Sequence, residues 1–218
     1  LRLSLFPYLS AYQNWNSEEF AQSYNGGMDM KVGIGNAFTL DMTLIPDFGQ
    51  VVTDNLVLNL SPFEIRFNEN RQFFKEGTEL FNKNEIFYSR RIGEEGRLLN
   101  ASKISGRLSN GLGLGLLQAV ATAEEDTSLV SYTVAVADQN LPNNGYATTT
   151  TSLVTREGAG YDAWVQAADF ELRNPANTWA LSGGGSFNQK FAADSLDDDE
   201  GHTWNVSVNK MAGNFTFN

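Results

Sequence analysis

Residues 28–44 read MDMKVGIGNAFTLDMTL. Successive side chains of a β-strand point to opposite faces, so strict alternation of apolar and polar residues predicts a strand with one apolar face. The apolar side of this stretch continues across a turn at Gly35-Asn36-Ala37 and comprises Met28, Met30, Val32, Ile34, Phe38, Leu40, Met42 and Leu44. The opposite side carries Asp29, Lys31, Gly33, Thr39, Asp41 and Thr43. We therefore predict an antiparallel β-hairpin here.

The same alternation recurs along most of the chain. With the hairpin and a further start at Asn214, it predicts about eleven strands, the others covering residues 1–12, 100–108, 112–122, 128–138, 146–156, 161–173, 178–190 and 203–211. Most are about 9–12 residues long, the length that a tilted strand needs to cross a bilayer. Strands of globular proteins average about 5–6 residues. We expect an all-β fold: an antiparallel up-and-down transmembrane β-barrel, of which this chain forms a part.

Aromatic residues are spaced as two interfacial girdles would require. Trp164 and Phe170 lie towards opposite ends of one predicted strand, Trp179 and Phe187 towards opposite ends of the next, and Trp204 begins another. A soluble β-sandwich core filled by these rings is the alternative. The polar face would be a wet lumen in a membrane barrel and the outer surface in a soluble one, so alternation does not decide between them.

Residues 46–91 interrupt the pattern and are too long for a hairpin loop. Long irregular segments carry function or fold back as plugs. This one contains a cluster of both charge signs, which we expect to form salt bridges inside a barrel lumen, since an unpaired buried charge is costly. A solvated periplasmic loop and a catalytic carboxylate pair are the alternatives. The cluster comprises Glu64, Arg66, Glu69, Arg71, Lys75, Glu76, Arg90 and Arg91.

Composition excludes several classes of function. The net charge of −11 argues against a nucleic-acid partner. The absence of cysteine excludes disulfides and thiolate metal sites, and the single histidine, His202, excludes a multi-histidine zinc site. One acidic run is a candidate calcium site, with a solvated loop as the alternative, and we expect no other cofactor. The run comprises Asp194, Asp197, Asp198, Asp199 and Glu200.

The glycines of Gly111-Leu112-Gly113-Leu114-Gly115 alternate with leucines, and no strand-to-helix context follows them. A phosphate-binding loop is therefore disfavoured. Glycines at these positions are more typical of strands that bend or that leave room for neighbouring side chains in a lumen.

Several segments resemble a family found mostly in Bacteroidota that carries a domain-of-unknown-function label. They are Pro46–Val51, Asn59-Leu60, Phe63–Gly77, Phe87–Gly93, Ala101–Gly106, Tyr161-Asp162, Trp179–Gly183 and Lys210–Asn214. The chain departs from the family's pattern at Asn68–Gln72, where a proline-containing run is usual. The resemblance implies an outer-membrane barrel, often fused to an N-terminal domain like family-nine carbohydrate-binding modules, and it brings no catalytic residues.

We accordingly expect a fragment of one barrel domain spanning residues 1–218, located in the outer membrane of a Gram-negative bacterium and not an enzyme. The expected function is a channel, transport or surface-export component. Its expected partners are the lipid bilayer and lipopolysaccharide, with other envelope proteins or glycans as candidates. A carbohydrate-binding or carbohydrate-processing module and a structural subunit of an envelope complex are the alternatives.

Overall fold

The computed structural model describes residues 2–15, 20–46, 58, 64–94, 96–123, 128–158, 160–192 and 199–212. These residues form ten β-strands and very little helix. The strands are β1 (Arg2–Trp15), β2 (Phe20–Ile34), β3 (Phe38–Leu44), β4 (Leu98–Arg107), β5 (Leu112–Thr122), β6 (Leu129–Leu141), β7 (Gly145–Arg156), β8 (Tyr161–Arg173), β9 (Trp179–Ala192) and β10 (Asp199–Lys210).

All ten strands belong to one antiparallel sheet in which each strand pairs with its neighbour in sequence. The predicted all-β, up-and-down architecture is thus confirmed. Among the described residues β1 and β10 do not pair with each other, so the sheet is open there. Of the eleven predicted strands, ten are present, and the predicted start at Asn214 lies outside the described residues.

Strand boundaries differ most from the prediction in β2, which begins at Phe20 instead of Met28. Residues 20–27 read FAQSYNGG and have no clear apolar periodicity. They are extended because they pair with the second half of β1, from Tyr8 opposite Gly27 to Trp15 opposite Phe20. Pairing with a neighbouring strand here overrides weak local preference.

The turns at one end of the sheet are short. They cover residues 35–37, 108–111, 142–144 and 174–178, whereas the opposite end joins the strands through residues 16–19, 45–97, 123–128, 157–160 and 193–198. Asn143 and Asn144 both have positive φ, the conformation that a tight hairpin turn requires and that asparagine tolerates. We call the two ends the short-turn end and the long-loop end.

Register places the predicted apolar and polar sides on two separate faces of the sheet. Leu40 of β3 lies opposite Val32 of β2 and Ile104 of β4, while Asp41 lies opposite Lys31 and Lys103. Trp164, Phe170, Trp179, Phe187 and Trp204 all share the face of Leu40 by the same register. We call this face the outer face and the one that contains Asp41 and Lys103 the inner face.

The hydrophobic core lies between the inner face and the segment that joins β3 to β4. The described part of this segment, residues 64–94 with 96 and 97, contains one short helix, α1 (Gln72–Lys75), and a 3-10 turn at Ser89–Arg91. We call residues 64–97 the insertion. Its buried side chains Phe74, Leu80, Phe81 and Ile92 pack against the inner-face residues Leu98, Ala101, Leu117, Ala119, Ala121, Val134 and Val136.

Candidate functional site: the inner face and its insertion

Two glycines of β5 make room for the insertion. A Cβ atom at Gly113 would lie 2.9 Å from Leu80 Cδ2, and one at Gly115 would lie 3.0 Å from Phe81 Cζ. A Cβ at Gly115 would therefore require the Phe81 ring to shift, whereas at Gly113 the flexible end of the Leu80 side chain could move aside. Phe81 is fully buried above them. Gly113 and Gly115 thus form a docking surface for the insertion on the inner face, and the alternating leucines form an apolar surface on the outer face.

A buried carboxylate anchors the insertion on one flank of this surface. Asp138 of β6 is fully buried and accepts hydrogen bonds from Arg107 Nη2 and, at 2.6 Å, from Thr148 Oγ1. Lys83 of the insertion brings its Nζ to 3.7 Å from Asp138 Oδ1. Because a buried carboxylate is stable only when it is paired and hydrogen-bonded, these groups depend on one another.

Asn84 extends the same contact to the next two strands. Its side-chain amide nitrogen donates to Asp169 Oδ1 of β8, and its oxygen accepts from the buried Thr150 hydroxyl of β7. One asparagine in the insertion therefore gives a partner to the buried Thr150 hydroxyl and a second partner to the half-buried Asp169, which also bonds to Tyr146.

A second anchor lies on β2, β3 and β4. Lys103 is only 1% exposed and donates its ammonium group to the carbonyl oxygens of Phe73 and Glu76, the latter at 2.5 Å, with Asp41 Oδ2 3.9 Å away. Lys31 bridges Glu76 at 2.9 Å and Asp41 at 3.6 Å. The backbone around helix α1 is thereby tied to three strands by two lysines.

Arg71 holds the insertion together internally. Its guanidinium forms a two-point ion pair with Glu69, from Nε at 2.9 Å and Nη2 at 2.8 Å, and it also donates to the carbonyls of Ser89 and Ile92, both at 2.6 Å. It stacks over the Phe74 ring with its Cζ 4.4 Å from the centroid. This fork geometry is available to arginine and not to lysine.

The ion pair with Arg71 affects the pKa of Glu69. Burial raises the pKa of this carboxyl, but hydrogen bonds from Arg71 and from the Ser89 hydroxyl outweigh burial and hold the pKa below its ordinary value. Glu69 is therefore ionised in the folded insertion.

The other predicted charged residues are distributed around the insertion. Glu64 pairs with Arg91 at 2.5 Å near the surface, and this hydrogen bond lowers the pKa of Glu64. Arg66 lies over the Tyr88 ring, Glu76 pairs with Lys31 of the sheet, Lys75 is exposed at the end of α1, and Arg90 is half-buried in the 3-10 turn. The eight residues thus form several separate contacts and not one cluster.

The acidic run proposed for calcium is only partly described. Asp194, Asp197 and Asp198 lie outside the described residues, while Asp199 and Glu200 begin β10 as adjacent strand residues that face opposite sides. In the part of the chain that the structure covers, no three His, Cys, Asp or Glu side chains are grouped as a metal site would require. His202 is exposed on the outer face of β10.

Sequence reasoning missed most of the residues that anchor the insertion, namely Lys31, Asp41, Lys83, Asn84, Asp138, Thr150 and Asp169. A signal for some of them is present in the sequence. Asp41 and Lys103 are charged residues in the middle of alternating strands and Asp138 is at the end of one, all on the face opposite the apolar one. Such positions require a partner when anything covers that face, but the partner's identity depends on the path of the insertion.

No helix within the described ranges is long and apolar enough to cross a membrane. No curated protein and no solved structure matches the chain significantly. A family model matches it in two consecutive segments, residues 1–97 and 94–218, which together span the whole sequence. The chain therefore belongs to the family described as Domain of unknown function (DUF5916).

Proposed function

We propose that this chain forms part of an outer-membrane β-barrel, with the outer face towards lipid and the insertion inside the lumen, and that it acts as a channel, transport or surface-export component. One observation carries the proposal: the outer face is apolar and exposed, while an ordered, charge-paired segment covers part of the polar inner face. A soluble β-protein would bury its apolar face and leave the polar one to water.

Exposure of the outer face supports this orientation. Leu116 is 47% exposed, Val206 63% and Trp204 75%. The buried core of the described residues lies entirely on the other side of the sheet. Apolar side chains in this arrangement need an apolar solvent, which the hydrocarbon core of a bilayer provides.

On β9 the span between the two outermost aromatics of the outer face fits the thickness of a membrane. Trp179 and Phe191 lie at opposite ends of β9, twelve residues apart, which is roughly 40 Å along a strand at about 3.3 Å per residue. A tilt of about 45° reduces this to roughly 28 Å, close to the apolar band of about 25 Å in outer-membrane barrels. Trp15 and Phe20 pack edge to face at the long-loop end of β1 and β2.

The two ends of the sheet suggest which of them faces the outside of the cell and which faces the periplasm. Outer-membrane barrels have short periplasmic turns and longer external loops. The insertion leaves β3 and returns to β4 at the long-loop end. We propose that this end is external and that the insertion enters the lumen from there, as a lumen segment and not as a periplasmic loop.

A polar cavity of about 610 Å³ remains beside the insertion on the inner face of β1–β4. Its lining includes Arg2, Ser4, Lys31, Thr39, Asp41 and Ser105. Such a lining suits a hydrophilic solute, which supports a channel role.

The test compares two neighbouring residues of β3 in the full-length protein, expressed in a Gram-negative host. Leu40→Arg places a charge on the outer face and should cost about 2–4 kcal/mol if that face meets lipid near mid-membrane. Thr39→Arg extends into the polar cavity and should be tolerated. Outer-membrane yield and the heat-dependent gel shift of folded barrels report assembly. Equal tolerance of both variants would contradict the lipid-facing assignment.

A further inference from the structure

A second cavity lies on the inner face, near the long-loop end of β6–β8. It has a volume of about 430 Å³ and lies between these strands and the last part of the insertion. We call it the cleft. Its floor is formed by strand residues, its wall by Phe87 and Tyr88 of the insertion, and its rim by Arg91, Arg156 and Tyr161.

The floor of the cleft includes an apolar patch on β6–β8. Val134, Val154 and Val165 form the apolar part of the floor, and Ser152 lies between Val134 and Val165 as a polar part. The insertion buries Val134 but leaves Val154 and Val165 only half-buried. Half-covered apolar side chains enclosed by a few polar groups are typical of a small-molecule site.

Cations surround the two tyrosine rings at this end. Arg156 Cζ lies 4.6 Å and Lys190 Nζ 4.1 Å from the Tyr161 ring centroid, and the Tyr88 ring lies 5.4 Å from Arg66 and 5.9 Å from Arg91. This places four of the chain's 15 basic residues together in a protein of net charge −11.

Several carboxylates also lie at this end, and Asp162 Oδ1 accepts the Arg156 backbone N–H at 2.9 Å. Glu64 is held by Arg91 at 2.5 Å, Glu94 is on the rim, and Asp199 lies opposite Lys190 in the strand register. Arg156 donates its Nη1 to the backbone carbonyl of Tyr161 at 2.6 Å, a neutral acceptor, so this bond fixes the guanidinium without cancelling its charge. A fixed guanidinium above an apolar floor is suited to a carboxylate.

We propose that the cleft binds a small molecule with a flat apolar body and a carboxylate group, the body against Val154 and Val165 and the carboxylate at Arg156. This site goes beyond the proposed membrane function and does not depend on closure of the barrel.

The test uses a matched pair of probes, naphthalene-2-carboxylate and the neutral 2-naphthamide, titrated calorimetrically into the full chain in non-ionic detergent, with micelles alone as the blank. We expect the carboxylate to bind about tenfold or more tightly than the amide, as a charge-assisted hydrogen bond would provide. Arg156→Gln should remove this preference and leave binding of the amide within about twofold. Lys75→Gln, an exposed insertion residue outside the cleft, should change neither probe.

Equal binding of the two probes to the unmodified protein would overturn the proposal, and this comparison needs no variant to fold. An unchanged preference in an Arg156→Gln protein that shows a normal gel shift would also overturn it. Arg156→Lys, which keeps the charge but loses the fork, is expected to retain part of the preference. If the protein still inserts into membranes but shows no preference for the carboxylate probe, the binding proposal is wrong and the proposed membrane function is unaffected.

Discussion

The two faces of the sheet are built from the same strands, yet neighbouring residues on them have opposite surroundings. Leu117 is fully buried beneath the insertion, whereas Leu116, the adjacent residue of β5, is 47% exposed on the outer face. A similar contrast exists within the inner face, since Asp138 is covered and Asp29 of β2 is exposed. Burial in this sheet thus depends on where the insertion packs and not on how apolar a strand is.

A large effect is expected from the buried carboxylate. Asp138→Asn would leave the partly exposed Arg107 and Lys83 side chains without their charged partner, and the loss of such charge-assisted hydrogen bonds costs about 1.5–3 kcal/mol. Asp29→Asn, on the uncovered part of the inner face, should stay within about 0.5 kcal/mol. Urea unfolding in detergent measures both. Similar midpoints for the two variants would show that the insertion does not seal Asp138 from water.

The adjacent leucines give the second comparison. Leu117→Ala removes side-chain atoms from the buried core and should destabilise the fold by about 2–5 kcal/mol. Leu116→Ala removes the same atoms from the outer face, where the cost should be below about 1 kcal/mol. The same unfolding measurement applies. A larger loss for Leu116 would mean that the outer face is covered by something more tightly packed than lipid or detergent.

The third comparison uses two inner-face glycines, one in the docking surface and one outside it. Gly115→Ala would crowd the Phe81 ring and should cost about 1–3 kcal/mol as overpacking. A Cβ at Gly33 meets no atom closer than 3.6 Å, so Gly33→Ala should be neutral or slightly stabilising. Protease cleavage after Lys83 or Arg90 gives a second readout. Faster cleavage in Gly33→Ala than in Gly115→Ala would contradict the docked arrangement.

The smallest effect is a pH dependence within the insertion. Because the folded pKa of Glu69 lies below its ordinary value of 4.5, its contribution is full above that value and is lost as pH falls through the folded pKa. Unfolding midpoints of the natural protein and Glu69→Gln should therefore differ most at neutral pH and converge in acid. A constant difference between them at all pH values would show that Glu69 acts through packing alone.

The fold could be predicted from the sequence further than the site could. Alternation in residues 28–44 and in eight other described segments predicted all ten strands. This was possible because each strand has one apolar face, and the alternation of side chains between the two faces depends only on neighbouring residues. The prediction failed at residues 20–27, which are extended only because β1 pairs with them. The sequence also did not identify the hydrogen-bond partners of Lys103 or Asp138, since those partners come from distant parts of the chain.

The sequence by itself determined the strands, the division of the sheet into an apolar and a polar face, and the placement of Trp164, Trp179 and Trp204 on the apolar one. The tertiary structure decided how the insertion is held: Phe81 over Gly115, Arg71 around Glu69, and Lys83 with Asn84 against β6–β8. The physical reason is the range of the interactions. Strand periodicity follows from backbone geometry within a few residues, whereas buried polar groups are satisfied by whichever side chains the folded chain brings to them.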